Sequence, residues 1–238
     1  MPTAVAVQML ELAGVTSEDV VYHLGSGGAE VIIAAARTYG ARGVGVELEA
    51  GGVQASTERA ASAGVGDRAT FAWNDLSQVD FRAATVVTLH LFPDVNVQLR
   101  ARLLTELRPG TRVVSREFDM ADWAPDRVRR VRTPGRELPL YLWVVPAKVD
   151  GAWQLTIGAS ERRRAVFEQQ FQRFTGSLTA GEREDRITNG AVRADVFAFS
   201  TGNVRYRGRI SGDTAEGTVE REEGPEPRRI PWTATRDK

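Results

Sequence analysis

The segment VVYHLGSGGAEVIIAAARTYGARGVGVELEA, Val20 to Ala50, constrains the fold more than any other part of the chain. A β-branched apolar run stops at Gly25-Ser26-Gly27-Gly28, an apolar helical stretch follows to Gly40, and a second apolar run stops at Glu47. Strand, glycine turn, helix, strand is a βαβ unit, and such units close with the strands parallel and the helix packed across them. The rhythm continues. RATFAW (68–73), ATVVTLHLF (84–92) and RVVSREF (112–118) read as further strands. GGVQASTERAASAG (51–64) and DVNVQLRARLLTEL (94–107) read as helices between them, and Val5, Met9, Leu10 and Leu12 suit a short amphipathic helix before them. Alternation of this kind predicts a doubly wound, Rossmann-like α/β sheet with helices on both faces.

From Leu138 onward the helices fade and short alternating runs appear between turn signals. LYLWVVPAKV, Asp150-Gly151 and AWQLTIG read as a hairpin, and Asn189-Gly190, Gly202-Asn203 and Gly212-Asp213 punctuate the rest. In NVRYRGRI, Val204, Tyr206, Gly208 and Ile210 share one face and Arg205, Arg207 and Arg209 the other. This texture predicts a small antiparallel β-domain, barrel or sandwich, with Trp143, Trp153 and Trp232 in its core or girdle. The expected division is 1–124 for the α/β domain, 125–137 for a linker carrying the basic run RVRRVR, and 138–238 for the β-domain.

Composition narrows the chemistry. There is no cysteine, and His23 and His90 are the only histidines, so thiol chemistry and a conventional zinc site are excluded and no metal is expected. With 31 basic and 31 acidic residues the formal charge is zero, which counts against a general nucleic-acid binder. No run approaches the ~20 apolar residues of a membrane span, and no basic leader precedes the first helix. A cytoplasmic location is the expectation.

The glycine turn opens a helix whose first N–H groups have no backbone partner, and Glu47 follows Gly25 by 22 positions. An acid at that strand end can accept hydrogen bonds from both ribose hydroxyls of a nucleotide-type cofactor. The dinucleotide fingerprint needs a glycine where this chain has Glu30, and an acid there opposes a pyrophosphate. A sulfonium cofactor without phosphate, S-adenosylmethionine, meets no such objection. Asn74-Asp75-Leu76, after the third strand, offers an acid for an adenine amino group.

VVYHLGSGGAEVIIAAARTYGARGVGVELE, FAWNDLSQVDF and ATVVTLHLFPDVNVQLRARLLTELRPGTRVVSREFDMADW, in that order, resemble a bacterial class I S-adenosylmethionine-dependent methyltransferase. Within that family the nearest likeness is to the lysine-methyltransferase-like group related to the methyltransferase that acts on the c-ring protein of ATP synthase. The likeness covers about residues 3–124, and the later β-rich part resembles an extension found on some bacterial members. It implies an enzyme that takes S-adenosylmethionine and methylates a protein lysine, another amine or a small molecule. It places His23, Gly25, Ser26 and Gly27 about the methionine portion, Glu47 and Leu48 at the ribose, and Asn74, Asp75 and Leu76 at the adenine. His90, Leu91, Phe92 and Pro93 face the substrate, and His90 and Asp94 are the catalytic candidates.

The first motif departs from the family pattern D-L-G-S-G-D-G-R at four of eight positions: His23, Gly28, Ala29 and Glu30. A protonated His23 would repel a sulfonium, while a neutral one can accept a hydrogen bond. Two lost charged hydrogen bonds, at ~1.5–3 kcal/mol each, weaken binding by roughly 10²–10⁴-fold. Three readings stay open at this point: an active methyltransferase with a re-tuned pocket, a degenerate fold serving as a binding or scaffold protein, and a pocket used for a different reaction.

Overall fold

The computed structural model describes residues 1–25, 29–47, 49–222 and 227–237. Two compact units follow one another, Met1–Val145 and Pro146–Lys238.

The first unit begins with α1 (Thr3–Ala13), whose Val5, Met9, Leu10 and Leu12 are buried, and which ends on Gly14 in the left-handed conformation. Then come β1 (Val20–Leu24), α2 (Glu30–Tyr39), β2 (Arg42–Glu47), α3 (Ala50–Ser62), β3 (Ala69–Trp73), β4 (Val86–Leu89), α4 (Pro93–Glu106) and β5 (Arg112–Arg116). A hairpin of β6 (Arg127–Thr133) and β7 (Arg136–Val144) completes a sheet of order β3-β2-β1-β4-β5-β7-β6. The first five strands are parallel, and β7 runs antiparallel between β5 and β6. β4 is buried at all four positions, as a central strand covered on both faces must be. The strand order reverses direction between β1 and β4, where a doubly wound sheet opens its crevice beyond the strand ends.

The hairpin corrects the expected division of the chain. Residues 127–144 belong to the first sheet, so 125–137 is no linker and the β-domain begins at Pro146 rather than Leu138. The Asp150-Gly151 hairpin does not form either: β7 pairs with β5 and β6, and the next strand starts at Gly151 and pairs with later ones. The turn that operates is Pro134-Gly135, and Leu138, Leu140 and Leu142 of β7 bury themselves in the core under α1. Trp143 accordingly packs in the first unit, 5.7 Å from Trp123, and of the three expected tryptophans Trp153 and Trp232 join the core of the second.

The second unit is antiparallel throughout: β8 (Gly151–Ile157), β9 (Glu161–Gln170), β10 (Arg173–Ala180), β11 (Arg183–Arg186), β12 (Thr188–Arg193), β13 (Val196–Thr201), β14 (Val204–Ser211), β15 (Thr214–Arg221) and β16 (Arg228–Arg236). β16 pairs with β8, and β9 with β10, so eight strands close into a barrel while β11 hangs beside β10. Two-residue turns at Gly202-Asn203 and Gly212-Asp213 fall between paired strands as their sequence implies. Asn189-Gly190 is instead a bulge within β12, with Asn189 at φ +54°. A side chain at Gly190 would collide with the Phe174 carbonyl, so the close approach of β10 requires glycine there. Phe167, Phe174, Phe197, Phe199, Tyr206 and Trp232 fill the interior, with Phe199 stacked on Tyr206 at 4.5 Å. The barrel is thus a packed core rather than a channel.

Candidate active site

The C-terminal ends of β1, β2 and β3 are laced together by backbone. Gly25, at φ +73°, donates its N–H to the Val46 carbonyl at 3.1 Å, and Asn74 donates to the Glu47 carbonyl at 3.2 Å. That lacing brings Gly25, Glu47 and Asn74 to one rim. Ser26, Gly27, Gly28 and Leu48 lie outside the described residues.

Glu47 is buried, and its Oε1 accepts from Ser56 Oγ of α3 at 2.7 Å. A Cβ at Gly52 would sit 3.2 Å from Oε2, so the small residue in the first turn of α3 leaves the carboxylate its place. An acid held at the end of β2 by a helix hydroxyl is oriented before any ligand arrives.

Asn74, Asp75 and Leu76 line a cavity of about 500 Å³ together with Trp73, Leu99 and Arg102. Asp75 is exposed. The Ser77 N–H, 2.8 Å from its Oδ1, holds the carboxyl below its usual range. Arg102 fastens this loop to α4: it donates to the carbonyls of Leu76 and Val79, both at 2.7 Å, and lies 4.7 Å over the Phe81 ring. Nothing in the sequence distinguishes Arg102 from its neighbours on α4. Arg102→Ala is expected to lower Tm by a few degrees and to weaken nucleoside binding in the cavity several-fold, because two carbonyls lose charged donors. Thermal unfolding and calorimetry of the same preparation check both effects.

His23 is buried in β1 between β2 and β4. Its Nδ1 lies 3.2 Å from the Thr88 carbonyl and 2.9 Å from Thr88 Oγ1. A carbonyl only accepts, so Nδ1 carries the proton and Nε2 presents a lone pair. Among the described residues that buried Nε2 has no partner. Burial drives the imidazole pKa down to about 4, outweighing the opposing Thr88 bond. His23 is therefore neutral at pH 7 and adds no positive charge to the rim.

Glu30, at the start of α2, forms an ion pair with Arg59 of α3. Burial works against its charge, but the Arg59 bond prevails and holds the carboxyl below its usual range. The acid that counts against a pyrophosphate is thereby kept ionised.

Beyond β4, His90 is exposed and Leu91 buried, Phe92 is 74% exposed, and Pro93 and Asp94 open α4. Pro93 suits the first helical turn, where no N–H is needed, and Asp94 suits the positive end of the helix. Partial loss of solvent, then the Arg116 guanidinium, push the His90 pKa below its ordinary value, while Glu117 pulls the other way. Glu117 follows β5 at φ +70° and accepts from Arg116 at 2.8 Å and Arg136 at 2.6 Å. An ordered acid in a sparsely populated backbone conformation is a feature of functional rims, and the sequence carries no mark of it. Buried Asn96 of α4 donates to Ser115 Oγ at 3.1 Å and to the Phe118 carbonyl at 3.3 Å, fixing the loop after β5 against α4. Asp94 sits on an exposed helix turn, so the structure brings His90, not Asp94, into the charged cluster.

The donor set fits S-adenosylmethionine. A buried acid stands at the end of β2, an exposed acid borders a cavity with room for an adenine ring, and a neutral imidazole takes the place of a charged group at the first turn. Among the described residues no group of three or more His, Cys, Asp or Glu side chains gathers as a metal site, and no helix is long and apolar enough to cross a membrane.

The family model of the ANTKMT methyltransferase domain matches residues 23–127. A protein-lysine N-methyltransferase of Saccharolobus islandicus (strain REY15A) is 38% identical over 145 residues, 60% of this chain and 90% of that protein. The lysine N-methyltransferase of Homo sapiens named for the C subunit of ATP synthase is 36% identical over 105 residues, 44% of this chain and 45% of the human protein. Among solved structures, an RNA methyltransferase from Salinibacter ruber in complex with S-adenosyl-L-homocysteine is 47% identical, with TM-score 0.59, covering 63% of this chain and 95% of that one. TrmN from Thermus thermophilus aligns at TM-score 0.55 with 17% identity, over 61% of this chain and 49% of its own, a likeness of fold. The chain belongs to the class I S-adenosylmethionine-dependent methyltransferases, similar to the ANTKMT methyltransferase domain and to a protein-lysine N-methyltransferase, and S-adenosylmethionine is its cofactor.

Proposed function

We propose that this methyltransferase modifies the side-chain amine of a lysine in a protein acceptor. The observation that carries the reading is the 38% identity to a protein-lysine N-methyltransferase along 90% of that protein's length. It is supported by a site that offers a neutral imidazole on the acceptor side. In this reading Glu47 accepts from the ribose hydroxyls, with Leu48 beside it. Asp75 accepts from the adenine amino group, and Asn74 and Leu76 border the ring. His23, Gly25, Ser26 and Gly27 surround the methionine portion, where the His23 Nε2 lone pair accepts a hydrogen bond.

Bound S-adenosylmethionine supplies an electrophilic methyl group. The chain supplies position and protonation. Leu91, Phe92 and Pro93 border the acceptor, and orientation of the amine contributes most of the rate. An amine attacks only through a free lone pair, so its ammonium must first lose a proton. His90, neutral at pH 7, is the group that takes it. The Arg116 and Arg136 guanidiniums disfavour a second cation nearby and so favour the neutral amine. The comparisons give no support to the scaffold reading.

The test uses the full chain with S-adenosylmethionine labelled in the methyl group and separate pools of cell protein and cell RNA. Label recovered as methyllysine from the protein pool is the expected result. Label confined to RNA, the acceptor class named for the Salinibacter protein, overturns the lysine reading while leaving the cofactor in place.

A further inference from the structure

The hairpin of β6 and β7 is one border of the sheet, with β3 at the other. β6 pairs with β7 and ends the strand order, so its outer edge presents backbone N–H and C=O groups to solvent. One of its faces is accounted for. Val131 is buried in the core, and Arg129 reaches Gln8 at 3.2 Å and Glu11 at 3.3 Å on α1. The opposite face is not covered. Val128 is 48% exposed, and Arg130 and Arg132 beside it are exposed with no hydrogen bond or ion pair among the described residues. Arg127, on the first position of the strand and on the face of Arg129 and Val131, is exposed and, among the described residues, unpaired. The one acid on the hairpin's two strands is Glu137, opposite Arg132.

The strand also points at the site. β6 runs parallel to β5, so its C-terminal end and the Pro134-Gly135 turn lie at the catalytic end of the sheet, where Arg136 binds Glu117. A strand added outside β6 lies four strand spacings from β4. At ~4.8 Å each that is roughly 19 Å, which about six extended residues span at ~3.3 Å per residue.

We propose that β6 is a docking edge for an extended, acidic segment of the methyl-acceptor protein, which adds to the sheet as an eighth strand about six residues from the modified position. Main-chain hydrogen bonds to the edge supply affinity without regard to sequence, and carboxylates on the face of Arg130 and Arg132 supply selection, with Arg127 on the other face adding to the positive charge of the edge. The proposal rests on the reading of a protein acceptor. A bland role exists for the same arginines, since charged edge strands resist edge-to-edge aggregation, and the experiment separates the two.

The probe is an acetylated, amidated heptapeptide, Glu-Val-Glu-Val-Glu-Val-Glu, which holds no lysine and so reports docking without catalysis. It is titrated into the full chain saturated with S-adenosylhomocysteine, with binding read by calorimetry and backbone amide exchange followed over residues 127–133. Slowing of β6 amide exchange by tenfold or more, and at least tenfold weaker binding to the triple variant Arg127→Gln, Arg130→Gln, Arg132→Gln, are the expected results. S-adenosylhomocysteine affinity of the variant, unchanged, shows that it is folded. If the triple variant fails to fold, Arg130→Gln alone, with binding several-fold weaker and less sensitive to salt, replaces it. Absence of peptide binding, protection outside β6, or affinity indifferent to the arginines overturns the proposal, as does a single-stranded oligonucleotide occupying β6 when the acidic peptide does not. Aggregation of the triple variant together with no peptide binding to the parent assigns the arginines to edge protection alone. Failure of the parent to bind S-adenosylhomocysteine counts against the cofactor, not against the docking edge.

Discussion

Glu47→Gln is expected to weaken S-adenosylhomocysteine binding by about 10²-fold while leaving the fold intact. The carboxylate is buried, and one of its oxygens is engaged by Ser56 at 2.7 Å. Glutamine preserves size and can still accept from Ser56. What it loses is the charge, and it turns an amide donor toward ribose hydroxyls that are themselves donors to this site. A hydrogen bond to a charged group is worth ~1.5–3 kcal/mol, and ~1.4 kcal/mol is tenfold in affinity, so the upper end of that range gives roughly 10². Ser56→Ala is the companion variant. It leaves the charge but frees the side chain to rotate, and a several-fold loss is expected. Calorimetric titration of both variants, with thermal unfolding as the control, makes the comparison. Affinity of Glu47→Gln within about threefold of the parent, at unchanged Tm, removes Glu47 from the ribose position and with it the assignment of the rim.

The strand-helix alternation of the first unit was legible because its central strands are apolar and largely buried and its helices bury one face, so that apolar spacing follows structure directly. β4 is the extreme case, apolar in sequence through Val86 and Val87 to Leu89 and buried at every position. The strand-end positions of Glu47 and Asp75 were legible for a different reason. Each stands at the end of a parallel strand, and position along the chain translates there into position at the crevice. The β6–β7 hairpin was not. An edge strand with one uncovered face has no need of apolar residues at every second position, so Arg127, Arg129, Arg130 and Arg132 hide a strand whose only fully inward residue is Val131. Reading that run as linker then shifted the boundary of the second unit and moved Trp143 into the wrong core. Asn189-Gly190 misled in the same manner: the dipeptide marks a left-handed backbone position, which a bulge requires as much as a turn does. The charged cluster of Arg116, Glu117 and Arg136 joins residues from the end of β5 and the start of β7. No local spacing announces such a meeting. The protonation of His23 depends in the same way on Thr88, 65 positions away on the neighbouring strand.

Stability should fall as pH drops from 6.5 towards 4, and the part of that fall due to His23 should vanish in His23→Asn. The sign follows from which state binds the proton. Unfolded, His23 has its ordinary pKa of 6.5; folded, burial lowers it to about 4. Above 6.5 both states hold a neutral ring and the residue contributes nothing to pH dependence. Between 6.5 and 4 the unfolded chain takes up a proton that the folded chain refuses, so acid favours unfolding, and below 4 both states are protonated and the loss is complete. A shift of that size, at ~1.36 kcal/mol per pKa unit, amounts to about 3 kcal/mol. The substituted asparagine keeps an N–H for the Thr88 carbonyl but does not titrate. His90 shifts in the same direction, and the carboxyls of Asp19, Glu30 and Glu161 are held low by their partners, so the parent's acid profile is composite. Those groups are common to parent and variant, and the difference between the two profiles isolates His23. Urea unfolding at intervals between about pH 7.5 and about pH 4.5, a range that brackets most of the window, measures it. A widening gap in favour of the variant as pH falls establishes a neutral imidazole at the end of β1, with its Nε2 lone pair available to the cofactor. A gap constant in pH means that His23 is as free to protonate in the fold as outside it, and a cationic ring would then stand beside the methyl donor at acidic pH, where cofactor affinity, not stability, would carry the pH dependence.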